Sequence, residues 1–331
     1  MKNSNITSRR HALGTICTIG AAIVLASSIA SPVMAQGQVT RLVVAFPPGG
    51  PVDFVARTIS EQLGKELGAQ VVVENKDGAN GSIAAQYVSN TAPAGTLWLT
   101  SVGAVAINPV LYDKLPYDPA KDLAPVSLVV NNVEVMVVNA NNPASTGASF
   151  VANAKLSKEG ATMASSGTGS VPHLAMELLA SASSAPLLHI PYKGAAPAIN
   201  AVLAGQVDGF FGDIPGLIGF IKSGRIKPVG IAARKRHPLL PDVRTFEEMG
   251  IPGVDSDNWY AIFTSNSTPA AEIERLNKAI RATLGNEAVR TKLSASGAEP
   301  SSSTPAELAA LLKSDTAKWG KLIRDKKIRP E

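Results

Sequence analysis

Short β-branched runs alternate along this chain with segments whose apolar residues recur at every third or fourth position. Arg41–Phe46 reads as a strand, and Pro47–Pro51 as the loop after it. Val52, Val55, Ala56, Ile59, Leu63 and Leu67 then form the apolar stripe of a helix packed on a sheet, which Gly68 ends. Val71–Val73 begins the next strand. A second glycine loop, Gly78–Gly81, opens another helix through Tyr87-Val88, and Leu97–Thr100 forms the third strand. The order is βαβαβ.

The same rhythm returns after residue 160. Thr162–Ser165 reads as a strand, Ser166–Ser170 as a loop, and Pro172 suits the first turn of a helix through Leu178-Leu179. Leu187–Ile190 is the next strand, and Lys193–Pro197 opens the helix Ala198–Leu203. Val207–Phe211 and Ile226–Ala232 read as further strands, separated by a helix around Leu217–Ile221. Two similar α/β halves are expected, built on parallel sheets. Asn139–Gly147, rich in Asn, Pro, Ser and Gly, is the expected linker, and Gly250–Asp257 the expected return. Lobe 1 therefore covers 36–139 and 256–331, lobe 2 covers 140–255, and a hinge is expected near Asn139–Pro143 and Gly253–Asn258. Two terminal helices start at Thr268-Pro269 and at the capping box Thr304–Glu307.

Residues 1–35 read as a secretory signal. Lys2, Arg9 and Arg10 precede 19 uncharged residues, Ala12–Ala30, and Val33-Met34-Ala35 places small residues at a cleavage site after Ala35. An uncleaved anchor is the competing reading, but the many Ser, Thr and Gly residues make this stretch weakly apolar. Ser8-Arg9-Arg10 leaves ordinary and twin-arginine export both open. Cleavage changes the chemistry. The formal charge of the 331-residue chain is +5, and the remaining 296 residues carry 28 basic and 26 acidic groups, net +2. The one cysteine, Cys17, leaves with the signal, which excludes a thiol nucleophile. The basic surplus that pointed to nucleic acid shrinks to Arg234-Lys235-Arg236, a solvated turn, so no nucleic-acid partner is expected.

No G-x-S-x-G elbow, H-E-x-x-H or phosphate-loop motif occurs. His173, His189 and His237 lie far apart, and no compact spacing would hold a metal. His189, in an apolar strand, reads as a core residue. For His173 a pocket-lining and a helix-capping role both stand. Four strand-to-helix turns (46–53, 78–82, 165–170 and 193–197) are rich in glycine and small hydroxyl residues. Glycine admits a ligand close to the backbone, and first-turn N–H groups without intrahelical partners favour an anion such as a carboxylate. Asp53 and Arg57, four apart, form an i,i+4 pair, or Asp53 steadies the loop by accepting its N–H groups.

These residues together resemble a known family. Arg41–Arg57 is similar to the opening of the Bug-type (TctC-like) solute receptors of tripartite tricarboxylate transporters. The likeness continues through Val73–Lys76, Gly78–Gly81, Asn108-Pro109, Ser165–Ser170 with His173-Leu174, Pro191–Gly194 and Gly205–Asp208. The resemblance implies a two-lobed type II periplasmic-binding-protein fold with a ligand cleft between lobes and two crossover segments. It implies a carboxylate ligand, membrane transporter components as partners, no cofactor, and a monomer in the periplasm. Carried over by motif, the ligand-binding residues are Pro48, Gly49, Gly50, Pro51, Val52 and Asp53, with Ser166, Gly167, Thr168, Gly169, Ala196, Pro197 and Asp208 on the other lobe. Val52 departs from the threonine usual in the family, so only its backbone or an apolar contact serves there. Phe211–Asp213 receives no ligand role. Two alternatives remain: an exported α/β hydrolase using Ser166, Ser170 and His173, and a receptor docking on a signalling partner.

Overall fold

The computed structural model describes residues 39–93 and 95–330. The expected signal and its cleavage site lie outside the described residues. In chain order the elements are β1 (Val39–Val44), α1 (Pro51–Leu67), β2 (Gln70–Asn75), α2 (Ser82–Asn90), β3 (Leu97–Ser101), α3 (Asn108–Leu111), α4 (Pro119–Asp122), β4 (Leu123–Asn132) and β5 (Glu134–Asn139). They continue with α5 (Gly147–Leu156), β6 (Ala161–Ser165), α6 (Val171–Ser183), β7 (Leu187–Pro191), α7 (Ala195–Leu203), β8 (Gly209–Asp213), α8 (Ile214–Lys222) and β9 (Ile226–Ile231). The chain ends with β10 (Asn258–Ser265), α9 (Ala270–Gly285), α10 (Glu287–Ser296), β11 (Glu299–Pro300) and α11 (Pro305–Lys326).

Two sheets result, ordered β11-β4-β10-β3-β1-β2 and β7-β6-β8-β5-β9. Each holds a parallel set with an antiparallel strand inserted from the crossing chain: β10 runs against β3 and β4, and β5 against β8 and β9, while the short edge strand β11 also runs against β4. Alternate residues feed opposite faces. Leu42, Val44, Leu97, Leu99, Tyr260 and Ile262 join one apolar cluster, while Val43, Trp98, Ala261 and Phe263 join another. The second sheet divides likewise, with Met136, Met163 and Phe211 on one side and Val137, Ala164 and Phe210 on the other. Helices therefore cover both faces of each sheet.

The first crossing is displaced from its expected place. β5 pairs Glu134 with Asp213 and Asn139 with Ile226, so Glu134–Asn139 belongs to the second sheet and the chain crosses at Val133. Asn139 is tied to that half by two side-chain hydrogen bonds of 3.0 Å to the carbonyls of Val202 and Leu203. The segment 140–146 is a loop on that side, not the joint. On the return path the Ser256 N–H still donates to Ala232 at 3.0 Å, and β10 begins at Asn258, which places the second crossing at Asp257. Asn258 pairs with Asn132, so the two crossings lie side by side. Val207 precedes its strand, because β8 begins two residues later than its hydrophobicity suggests.

Candidate functional site

The loop after β1 is built around a buried carboxylate. Asp53 Oδ2 accepts the Gly49 N–H at 3.0 Å and Arg57 Nε at 2.9 Å. Asn75 Nδ2 reaches Asp53 Oδ1 and the Phe46 carbonyl, both at 2.9 Å. The ion pair and the loop-steadying role are one arrangement. Burial pushes the Asp53 pKa up, but the bonds from Arg57, Gly49 and Asn75 outweigh it and hold it below the usual value. Gly49 takes a left-handed φ of 80°, which the turn into Gly50 and Pro51 requires.

The loop after β6 is held in a comparable way. The Gly167 carbonyl accepts Ser170 Oγ at 2.7 Å and Ser165 Oγ at 3.2 Å, and the Gly169 N–H donates to His173 Nδ1 at 3.1 Å. His173 stacks on His189 with ring centroids 3.8 Å apart. Burial, with His189 alongside, lowers the His173 pKa to about 3, so the ring is a neutral acceptor. His173 thus fastens the loop to α6. His189 is a partnered strand residue, with Nε2 at 2.6 Å from the fully buried Ser165 Oγ.

These loops meet in one pocket at the carboxyl ends of the parallel strands. Gly50, Pro51 and Val52 line it from the start of α1. Ser166, Ser170, Val171 and Pro172 contribute from the loop into α6 and its start, Ala195 and Ala196 from α7, and Gly212 and Asp213 from the end of β8. Phe46, Pro47, Asn80, Ser101, Phe210, Asn258 and Tyr260 complete the wall. The cavity volume is about 40 Å³. The starts of α1, α6 and α7, where the first N–H groups have no intrahelical partner, line this space, and among the described residues no Lys, Arg or His does.

The two halves touch around the pocket. Asn80 Nδ2 donates to the Gly169 carbonyl at 3.1 Å, and a Cβ on Gly194 would stand 3.0 Å from Pro47 Cδ. A Cβ on Gly216 would stand 2.8 Å from Pro51 Cγ. Val171 and Leu174 of α6 join the apolar cluster of Ile107 and Leu111 from the other half.

Of the residues carried over by motif, Gly50, Pro51, Val52, Ser166 and Ala196 line the pocket. Pro48 and Gly49 are exposed in the loop behind Gly50, and Asp53 lies beneath it. Gly167, Thr168 and Gly169 form the turn behind Ser166, and Pro197 is in the first turn of α7. Asp208 falls elsewhere. It precedes β8 and accepts the N–H and hydroxyl of Thr162 at 2.8 and 2.7 Å, at the strand ends opposite the pocket. Its part is to tie β8 to β6. Ser170 and His173 each bond the loop backbone instead of one another, which leaves the hydrolase reading without its Ser–His pair.

Sequence reasoning passed over the pocket's floor. Asp213 Oδ1 and Oδ2 accept Asn258 Nδ2 at 3.0 Å, and Oδ2 also accepts the Tyr260 hydroxyl. Burial raises the Asp213 pKa to about 6 against the opposing pull of Tyr260 and Asn258. Directly across the β5–β8 ladder sits Glu134, fully buried, with neither carboxyl oxygen bonded to protein. Its pKa is pushed well up by burial and by Asp213 beside it. The only sequence hint was an acid between a strand and Ile214-Pro215, the start of a helix.

The model of the tripartite tricarboxylate transporter family receptor, TctC, matches residues 55–328. The chain is a receptor of that family. Its relatives include BugT of Bordetella pertussis, 32% identical over 304 residues, covering 90% of this chain and 93% of BugT. Among solved structures the receptor is similar to Rpa4515 of R. palustris with adipate (TM-score 0.85, 30% identity, 90% of this chain and 100% of that one). It is also similar to MatC of Rhodopseudomonas palustris with bound malate (TM-score 0.80, 31% identity, 86% and 99%). The two-lobed binding-protein fold of the receptor follows from these likenesses and its paired sheets.

Proposed function

We propose that this chain captures a small carboxylate in the pocket between its two lobes, outside the cytoplasm, and delivers it to the membrane components of a tripartite transporter. One observation carries the reading: three helix N-termini, those of α1, α6 and α7, converge on a pocket whose described lining contains no basic side chain. Such a site holds an anion by N–H groups and oriented dipoles, each terminus worth about 0.3–1 kcal/mol and more when shielded from water. The malate and adipate named for the two structural neighbours support the ligand class.

The two adjacent crossings, Val133 and Asp257, serve as the hinge. Ligand favours the closed state because only there do both lobes reach it. The mature receptor begins after Ala35, works as a monomer and performs no chemical step. The family's transport role stands against a signalling one. Isothermal titration of the folded protein against two- to six-carbon mono- and dicarboxylates tests the proposal: saturable one-to-one binding with compaction in small-angle scattering is expected. Silence across the whole panel would overturn it.

A further inference from the structure

Among the described residues Asp213 is the one carboxylate that lines the pocket, and no Lys, Arg or His lines it to offset the charge. An acid facing a site built for an anion needs a chemical reason. Its protein partners supply part of it: the Asn258 amide and the Tyr260 hydroxyl both donate to Asp213, the pattern that an ionised carboxylate takes. Two donors to Oδ2 and one to Oδ1 leave Oδ1 with acceptor capacity unused. The Asn258 amide is oriented by the same bond, and its own oxygen is buried without a protein partner. Among the described residues Asp213 has no ion pair with Lys or Arg. Glu134, its cross-strand neighbour, is fully buried with neither oxygen bonded to protein, and burial and Asp213 push its pKa well up. The pocket therefore has two unlike ends: helix N-termini rich in unpaired N–H groups, and a floor that accepts hydrogen bonds.

We propose that Asp213 determines specificity by accepting a hydrogen bond from a hydroxyl or ammonium group at the far end of a short carboxylate, while repelling a second carboxylate. This rests on the receptor reading above and names the ligand class within it. A charged group facing a matched donor is a strong discriminator, because an analogue lacking the donor leaves the buried acceptor unpaired and a like charge faces it directly.

The test is titration calorimetry at pH 7.5 with three-carbon probes: 3-hydroxypropionate, β-alanine, propionate and malonate. The wild type is expected to bind 3-hydroxypropionate or β-alanine at least about tenfold tighter than propionate and malonate. A preference for the first indicates a hydroxyl donor, for the second an ammonium. In Asp213→Asn, with its fold verified by circular dichroism, the margin over malonate is expected to shrink at least about tenfold. Malonate or propionate binding tightest to the wild type overturns the proposal, whether or not the variant folds. So does an unchanged ranking in Asp213→Asn. Binding of none of the probes, nor of any longer carboxylate, would instead bring down the receptor reading itself.

Discussion

Asn80 Nδ2 donates to the carbonyl of Gly169 at 3.1 Å, joining a glycine loop of one lobe to a glycine loop of the other. The same amide donates to Asn108 Oδ1 at 2.9 Å, so its position is fixed within its own lobe before the second lobe arrives. Asn80 holds a left-handed φ of 48°, a conformation that asparagine tolerates better than most residues. Preorganisation of this kind makes the contact a latch on the closed state. Asn80→Ala is expected to weaken ligand binding about fivefold to tenfold, the worth of about one hydrogen bond. Backbone strain from the substitution is common to open and closed forms and leaves affinity alone. Titration calorimetry reads the loss, and scattering reads a larger radius of gyration without ligand.

Gly216 separates closure from stability. It sits in α8, where alanine is favoured over glycine by about 0.8–1 kcal/mol, yet its added Cβ would come 2.8 Å from Pro51 Cγ across the lobe contact. Gly216→Ala is expected to leave the thermal midpoint unchanged or raised while affinity falls at least about tenfold. A parallel loss of midpoint and affinity would mean that the contact belongs to the fold and not to the closing motion.

Asp53 gives a pH-dependent prediction. Its folded pKa lies below its unfolded value because Arg57, Gly49 and Asn75 bond the ionised form. The contribution to stability is therefore present above the unfolded value, about 3.9, and disappears as pH falls through the folded one. Asp53→Asn is expected to cost about 1.5–3 kcal/mol at pH 7, the range for hydrogen bonds to a charged group, with the difference closing as pH falls below the unfolded value and through the folded one. Urea unfolding of both proteins across that range checks the sign.

Glu134 runs the other way. Burial, then Asp213, raises its folded pKa well above the unfolded one, so it keeps a proton that the unfolded chain has released. Wild-type stability is penalised above the unfolded value by about 1.4 kcal/mol per pH unit until the folded pKa is reached. Glu134→Gln removes that penalty. Its stabilising effect is expected to be small at pH 4.5 and larger at pH 7.5, measured by denaturant unfolding at both.

Local chemistry made much of this fold legible. The stripe Val52–Leu67 and Gly68 with its φ of 65° placed α1 within a residue, and Thr304 with Glu307 forms the capping box that opens α11. Long-range pairing was less visible. Nothing local in Glu134–Asn139 says that its partners are Phe210–Asp213 and Ile226–Ile231, so the Pro- and Ser-rich loop behind it looked like the joint. The site divides in the same way. Glycine loops announce themselves in sequence, and Gly50, Ser166 and Ala196 do line the pocket. Asp213, Asn258 and Tyr260 come from strands 45 residues and more apart, and only the adjacent crossings of the chain bring them together. Asp208 was attractive because it ends a motif, yet the motif ends at the wrong edge of the sheet.

The central claim is that helix N-termini, not basic side chains, hold a carboxylate between the lobes. A crystal structure of the receptor with a bound short carboxylate tests it most directly. The account predicts carboxylate oxygens between Gly50–Val52 and Ser166–Pro172, within about 3.2 Å of backbone N–H groups or of waters that those groups hold. A carboxylate seated on a Lys or Arg side chain away from this pocket would contradict it.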